Sequence, residues 1–353
     1  MNKNSIYIRC ENNRDEYRTV LIPEHIKILK ANGFTIYIET SPQRIYTDSE
    51  YEKNDAIVTD KKWYDDTFKK SLIIGLKGLR YHELAKLDHH YHVYFSHSFE
   101  RQINSNPILF NFCKSGSRLY DLEYFLETDR KTRFLSFGNY AGIVGGLLGL
   151  LQYIQRKKYN TCIKDLHYWD SVESVIGTNS ELSELRKDKS LSICIIGGNG
   201  KCGRGVKNIL DRLGLQYTVL LRNDKKVKLV QYDIVYNCIK LSNNFNEIWF
   251  DKNTVFNKPI ILCDISSDYT RKNNPIQLYT KATTYNEPIY TYNRYVDIIA
   301  IDNLPSLLPK ESSTEFSKKC LQLLLEYRDD KNSYWRNNMN VFLEKIKHNI
   351  HFK

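Results

Sequence analysis

The run Ser192-Ile-Cys-Ile-Ile-Gly-Gly-Asn-Gly-Lys-Cys-Gly-Arg-Gly-Val206 constrains this chain more than any other stretch. Four apolar residues, Ile193 to Ile196, read as a buried parallel strand. Glycines follow at 197, 198, 200, 203 and 205, and then Val206, Ile209, Leu210 and Leu213 recur at helical spacing. The strand therefore turns directly into a helix. Glycine in such a turn permits positive φ and lets the backbone approach a pyrophosphate closely. The free N–H groups and positive dipole end of the helix then favour phosphate. The pattern is G-x-x-G-x-x-G rather than G-x-G-x-x-G, and its place between strand and helix is what gives it meaning. The next apolar run, Thr218 to Leu221, leads to Asp224. An acidic residue about 20 positions past the glycines holds the adenosine ribose hydroxyls and repels the extra phosphate of NADP. Arg222, Lys225 and Lys226 pull the other way. A tight strand-to-helix turn that binds no nucleotide, with Asp224 on the surface, is the alternative.

At 353 residues the chain has room for two domains with ample cores. With 41% hydrophobic and 26% charged residues it reads as globular and soluble. The polar start, Met1-Asn-Lys-Asn-Ser5, lacks a signal-peptide pattern, and the most apolar stretch, Ala141 to Leu151, is too short to span a membrane. A cytoplasmic protein without a membrane partner is expected. The net charge of +11, from 52 Lys plus Arg against 41 Asp plus Glu, suits nucleic acid or an anionic small molecule. The basic residues are dispersed, which favours a solubilising surface and no nucleic-acid partner. The eight cysteines form no C-x-x-C pair, so neither a zinc ribbon nor a disulfide framework is indicated.

Along the chain, strands are expected at Ser5–Arg9, Phe34–Glu39, Ser71–Lys77 and Tyr91–His97, with a helix from Pro23 to Asn32 ended by Gly33. Further strands are expected at Asp233–Ile239, Pro259–Asp264 and Ile298–Ile301. Strands alternating with helices imply an α/β fold with open parallel sheets. The stretch Phe137–Gln152 reads as a glycine-rich apolar helix crossing into a second domain, its small residues suited to packing between two domains. Residues 158–190 read as polar surface helix. The tail after Pro309 has helical periodicity and is expected to pack back on the first domain.

In open parallel sheets ligands bind outside the carboxyl ends of strands. Lys77 and His97 fall at two such ends and form a candidate acid–base couple, with a neighbouring Arg expected to destabilise the lysine's charge. Arg18 and Arg133 are candidate carboxylate clamps, because a guanidinium fork pairs a carboxylate bidentately. A surface cation and an edge histidine remain the plainer readings of the same residues. His89, His90, His92 and His97 lack a carboxylate or cysteine at ligand spacing, so no metal site is expected. Cys202 and Cys238 belong at the carboxyl edge of the second sheet and could approach to form a disulfide; in a reducing compartment they stay free thiols.

The chain resembles saccharopine dehydrogenase of the NAD-dependent, L-lysine-forming kind, within the alanine dehydrogenase–transhydrogenase superfamily. The stretches that carry the resemblance include Arg18-Thr-Val-Leu-Ile-Pro23, Ile73-Ile-Gly-Leu-Lys77, Phe95-Ser-His97 and Leu119-Tyr-Asp-Leu-Glu123. Others are Phe137-Gly-Asn-Tyr-Ala-Gly142, the glycine loop, Asn237-Cys-Ile239, Asp264-Ile-Ser266 and Ile301-Asp-Asn-Leu-Pro-Ser-Leu-Leu-Pro309. The resemblance implies two Rossmann-like domains with parallel sheets flanking a cleft. One is a substrate-side domain, 1–137 with 308–353; the other is an NAD-binding domain, 138–307. It implies Lys77 and His97 as the catalytic acid–base groups. Substrate contacts fall on Arg18, Lys77, Gln102, Arg133, Phe137, Asp264, Ile265 and Ser266. NAD contacts fall on Gly200, Lys201, Asp224, Cys263, Ile301, Asp302, Asn303 and Leu304.

The reaction so implied is oxidation of saccharopine with NAD and water to lysine, 2-oxoglutarate and NADH, by a chain that is expected to be a monomer. Its partners would be these small molecules alone. The sequence departs from the family at Gly78, Glu100, Thr132, Lys228, Lys240 and Asn303. Glu100, acidic where the family usually carries lysine, favours the alternative of a related opine or amino-acid dehydrogenase with another substrate. A catalytically weakened NAD-binding relative is a third reading.

Overall fold

Ile6, Tyr7 and Ile8 are almost wholly buried, as a strand must be when helices cover both faces of a parallel sheet. In the computed structural model they form β1 (Ser5–Ile8), followed by β2 (Thr35–Glu39), β3 (Ile57–Thr59), β4 (Leu72–Ile74), β5 (Tyr91–Tyr94) and β6 (Arg118–Asp121). The structure describes residues 4–99, 105–129, 131–221, 224, 228–241, 245–329 and 331–350, with backbone only at 105, 106 and 348–350. These six strands make one sheet of order β3-β2-β1-β4-β5-β6, and every pairing is parallel. A second sheet comprises β7 (Ile193–Ile196), β8 (Thr218–Leu220), β9 (Ile234–Asn237), β10 (Ile260–Asp264), β11 (Tyr290–Asn293) and β12 (Val296–Ile299). Its order is β11-β12-β10-β9-β7-β8, with only β11 antiparallel, at the edge.

The chain divides into two compact units, 1–136 with 309–353 and 137–308. In the first unit, helices Pro309–Leu325 and Ser333–Ile350 return to the sheet through specific polar ties. Ser313 Oγ accepts the Thr19 amide at 3.0 Å, and Ser317 Oγ accepts that of Ile22 at 2.9 Å. Asn338 binds both backbone groups of Asp121, at 3.1 and 2.8 Å. The tail thereby fixes the segments that follow β1 and end β6, where the candidate site residues lie. Phe342 completes an aromatic core with Trp63, Phe99 and Phe112.

In the second unit the glycine-rich stretch is helix Gly138–Ile154. Gly138, Gly142 and Gly146 face helix Lys201–Arg212 of the same unit, whereas Gly145 meets Ile265 and Gly149 meets Tyr236 and Cys263. A Cβ on Gly142 would stand 1.9 Å from the Cys202 carbonyl oxygen, and one on Gly205 would stand 2.1 Å from that of Asn139. On the sheet side Tyr236 donates its hydroxyl to the Gly146 carbonyl at 2.8 Å. The stripe thus brings two backbones together beneath the glycine loop.

Other differences follow from burial and edges. The polar stretch after 158 is helical only at Val172–Thr178, Ser180–Glu184 and a 3-10 turn. The strands β3, β6 and β11 have no counterpart among the strands expected from the sequence; β3 and β11 are edge strands of three and four residues, half exposed, with little apolar pattern to read. The last parallel strand lies at Val296–Ile299, two residues earlier than its apolar run suggests.

Candidate functional site

In the first unit the candidate site residues gather at the carboxyl ends of the adjacent strands β1, β4, β5 and β6. Lys77 follows β4, and its Nζ lies 3.9 Å from Glu16 Oε2. Glu16 is fully buried and also binds Arg18, whose Nε and Nη2 donate to its two oxygens at 2.7 and 2.6 Å. Burial pushes the Glu16 carboxyl up, but Arg18 and then Lys77 outweigh it and hold the group below its ordinary value. The expected arginine is therefore near Lys77 with its charge already matched by a carboxylate. The lysine's surroundings are a triad of alternating charge, not a like-charge pair.

His97 follows β5, where the strand has already ended at Tyr94. It adopts φ +53°, uncommon for a residue with a side chain. Its ring stacks on Phe95 at 6.5 Å, and Nδ1 lies 3.7 Å from Glu123 Oε1. Glu123 also takes Arg133 Nη2 at 2.9 Å. A short antiparallel bridge between Leu126 and Arg133 returns Arg133 to this position. With Nδ1 toward the carboxylate, Nε2 is the ring nitrogen left for a further partner. Glu16 and Glu123 are the candidate site residues that sequence reasoning missed: a lone acid in a loop or in a single 3-10 turn carries no periodic signal, although Glu123 lies within a stretch that bears the family resemblance. Gln102 and the departure at Glu100 lie outside the described residues, as do Arg222, Lys225 and Lys226.

In the second unit Gly200 caps helix Lys201–Arg212, and Gly197 has φ +83°. A Cβ on Gly203 would stand 2.4 Å from Gly198 Cα, and one on Gly198 would stand 2.7 Å from Val219. Only glycine closes this turn. Beside it opens a cavity of about 470 Å³ lined by residues that include Gly197, Asn199, Gly200, Leu221, Cys238 and Lys240. It lies at the carboxyl ends of β7 and β9, where the order of strands reverses, the place where doubly wound sheets take dinucleotides. The glycine cradle and the helix N-terminus fit a pyrophosphate. Asp224 uses one carboxylate oxygen to accept the Leu221 amide at 2.6 Å, and it is Leu221 that lines the cavity. The departure Lys240 also lines it, and Lys228 sits in the left-handed region at φ +74°.

Asp264, at the end of β10, is buried and accepts the Tyr279 hydroxyl at 2.6 Å, Asn237 Nδ2 at 2.9 Å and the Ser267 amide at 3.1 Å. Burial pushes its carboxyl up to about 6, against these three bonds. Ser266 donates its hydroxyl to the Ile239 carbonyl, and Ile265 fills the space over Gly145. Asp302 accepts the Ser267 hydroxyl at 2.9 Å, and the Asn303 carbonyl accepts the Tyr285 hydroxyl at 2.8 Å. Ile301, Leu304 and Cys263 are buried. Phe137 caps the helix that begins at Gly138, and Lys201 is the first residue of the helix after the glycine loop. Cys202 and Cys238 are neighbours with free thiols, not a disulfide; burial and then the Cys202 thiol push Cys238 well up. No group of three or more His, Cys, Asp or Glu side chains is arranged to hold a metal among the described residues. No described helix is long and apolar enough to cross a membrane.

Two parallel α/β sheets, one carrying a glycine cradle, define the class of NAD(P)-binding dehydrogenases with paired Rossmann-like units. The model of the alanine dehydrogenase/PNT N-terminal domain matches residues 7–144. A solved L-alanine dehydrogenase superposes with TM-score 0.70 at 14% identity, over 96% of this chain and 94% of that one, and so shares the fold. The curated saccharopine dehydrogenase (NAD(+), L-lysine-forming) of Schizosaccharomyces pombe is 32% identical over 93% of this chain and 94% of its own. That of Emericella nidulans is 29% identical over 98% of each. The chain belongs to the family of NAD-dependent, L-lysine-forming saccharopine dehydrogenases.

Proposed function

We propose that this protein oxidises L-saccharopine with NAD and water to L-lysine, 2-oxoglutarate and NADH, the last step of lysine biosynthesis by the aminoadipate route. Membership of the family along almost the whole chain carries this reading, and the paired Lys77–Glu16–Arg18 and His97–Glu123–Arg133 groups support it. When bound, NAD supplies the hydride acceptor.

In the second unit we assign Gly200, Lys201, Asp224, Cys263, Ile301, Asp302, Asn303 and Leu304 to the cofactor, with Phe137, Asp264, Ile265 and Ser266 to the substrate. In the first unit we assign Arg18, Arg133, Gln102 and Lys77 to the substrate. Lys77 Nζ and His97 Nε2 are the proton-handling atoms. One takes the proton of the bridging secondary amine as its neighbouring carbon is oxidised to an imine. The other takes a proton from the water that adds to that imine and passes it to the nitrogen. It then takes the carbinolamine's hydroxyl proton and gives it to the nitrogen as the C–N bond breaks, leaving lysine and the ketone of 2-oxoglutarate. Glu16 and Glu123 keep the two groups oriented, and they moderate the positive charge of Arg18 and Arg133, which attracts a substrate with three carboxylates. Asp224 makes NAD the preferred cofactor; equal use of NADP would count against it. The proposal places the enzyme in the cytoplasm as a monomer; light scattering that gives twice the chain mass would overturn the second part.

Turnover followed at the NADH absorbance, with saccharopine and with simpler opines offered in parallel, tests the reading. Saccharopine-dependent NADH formation is expected. Turnover of another opine only would move the substrate while keeping the reaction.

A further inference from the structure

Within the first unit, the loop that carries Lys77 is gripped by two residues to which neither the sequence nor the family resemblance assigned a role. Glu11 Oε1 accepts the Leu76 amide at 2.5 Å, and Oε2 accepts the Lys77 amide at 2.9 Å. Arg9 Nη2 donates to the Lys77 carbonyl. The guanidinium lies flat against Gly75, where an added Cβ would stand 2.3 Å from Nη2 and 2.7 Å from Cζ. Both peptide groups of Lys77 are thus held by charged side chains from the segment that follows β1. That segment continues to Glu16, which faces the lysine's amine.

This arrangement is costly to maintain. Arg9 is 3% exposed, and its Nε and Nη1 have no hydrogen-bond partner among the described residues. Burial raises the Glu11 carboxyl, an effect that the Arg9 charge opposes before the two amides do. An ionised carboxylate shares its one charge over both oxygens and so accepts an amide at each, and the Arg9 charge beside it offsets its burial, so each residue makes the other tolerable. A neutral loop could tie two amides and a carbonyl with backbone alone, as the neighbouring Gly75 amide does with Val93 O at 3.0 Å and Phe95 with Leu76 O at 3.0 Å. Charged groups on a catalytic loop add rigidity and a fixed field at the amine.

We propose that Glu11 and Arg9 are positioning residues for Lys77, fixing the loop so that its amine meets the substrate at the required distance. The inference rests on the reading of Lys77 as an acid–base group. A displacement of about 1 Å at such a group is worth on the order of 100-fold in rate. Glu11→Gln keeps the shape and one acceptor but sets an NH2 group against an amide. It is expected to lower kcat on the order of 100-fold while the KM for NAD stays within about threefold.

The decisive comparison is a cycle with Lys77→Met. If Glu11 acts through Lys77, E11Q slows the wild type and leaves K77M no slower. The proposal is overturned if E11Q turns over like wild type, or if it slows K77M by the same factor. A K77M enzyme as fast as wild type sinks the Lys77 reading itself, which is a separate result. Should K77M be too slow to measure, the pH profile of kcat/KM decides. The groups set against Lys77 are Glu16 at its amine, Glu11 at its amide and Arg9 at its carbonyl. A displaced limb in E11Q supports the proposal and an unmoved one overturns it. If E11Q does not fold, Arg9→Lys, which keeps the charge but not the reach to the Lys77 carbonyl, is read in the same way.

Discussion

Replacing Gly142 by alanine tests whether the glycine stripe is what brings the cofactor helix into place. The added Cβ would stand 1.9 Å from the Cys202 carbonyl oxygen, 2.8 Å from its carbon and 2.9 Å from the Val206 amide nitrogen. All three are backbone atoms, so no side chain can rotate away. Helices Gly138–Ile154 and Lys201–Arg212 must separate by about 1 Å before the methyl fits, and such a gap forfeits a quarter to a half of each contact's attraction along the seam. Overpacking at its upper range costs about 3 kcal/mol. Alanine returns about 1 kcal/mol of helix propensity. The net loss is about 2 kcal/mol, or a fall of about 4–8 °C in the melting temperature of a unit this size. The shift also moves the helix capped by Gly200, so NADH should bind more weakly. Gly177→Ala is the control: Gly177 lies in helix Val172–Thr178 with nothing within 4 Å of the new Cβ, and it should gain about 1 kcal/mol. Thermal melts and NADH fluorescence titrations of both variants read the outcome. A G142A protein that melts at or above wild type would refute the reasoning.

Lys77→Met should lower saccharopine turnover by about 100-fold or more with NADH binding retained, measured by steady-state kinetics and fluorescence. Glu16→Gln takes the Glu16 charge away from the buried Arg18 and should destabilise the first unit by about 3–5 kcal/mol, read by denaturant titration. Acid acts on the same pair. The Glu16 carboxyl is held below its ordinary value in the fold, so its contribution is present above about pH 4.5 and is lost as pH falls through the folded value. Asp264 has the opposite sign. Its folded value is raised from 3.8 to about 6, so it favours folding below about pH 4 and that contribution disappears as pH rises through 6. The span is about 3 kcal/mol at most, and Asp264→Asn should flatten that slope in pH-dependent unfolding of the second unit.

The glycine loop was legible because a strand, a turn and a helix are written consecutively, each with its own period. Lys77 and His97 were legible as candidates because they follow strand ends in a parallel sheet, where ligands bind. Glu16, Glu123, Arg9 and Glu11 were not, since each is an isolated charge in a loop or, for Glu123, a single 3-10 turn, and its meaning appears only when the fold brings it to a neighbouring strand end. Burial of Asp264 beside Asn237 and Tyr279 was hidden for the same reason, because the three partners are spread along the chain. The glycine-rich helix was legible as close packing but not as to its partner: small residues say that a backbone approaches, not which one. Ser266 and Asp302, expected at ligands, also make local hydrogen bonds through their side chains, which a motif does not announce.

The central claim is the reaction itself, and product stoichiometry tests it most directly. Purified protein would be incubated with saccharopine and NAD, and lysine, 2-oxoglutarate and NADH would be quantified in the same sample. The account predicts that all three form in equal amounts, and that none forms without either reactant. NADH without lysine, or no product while NADH still binds, would contradict it.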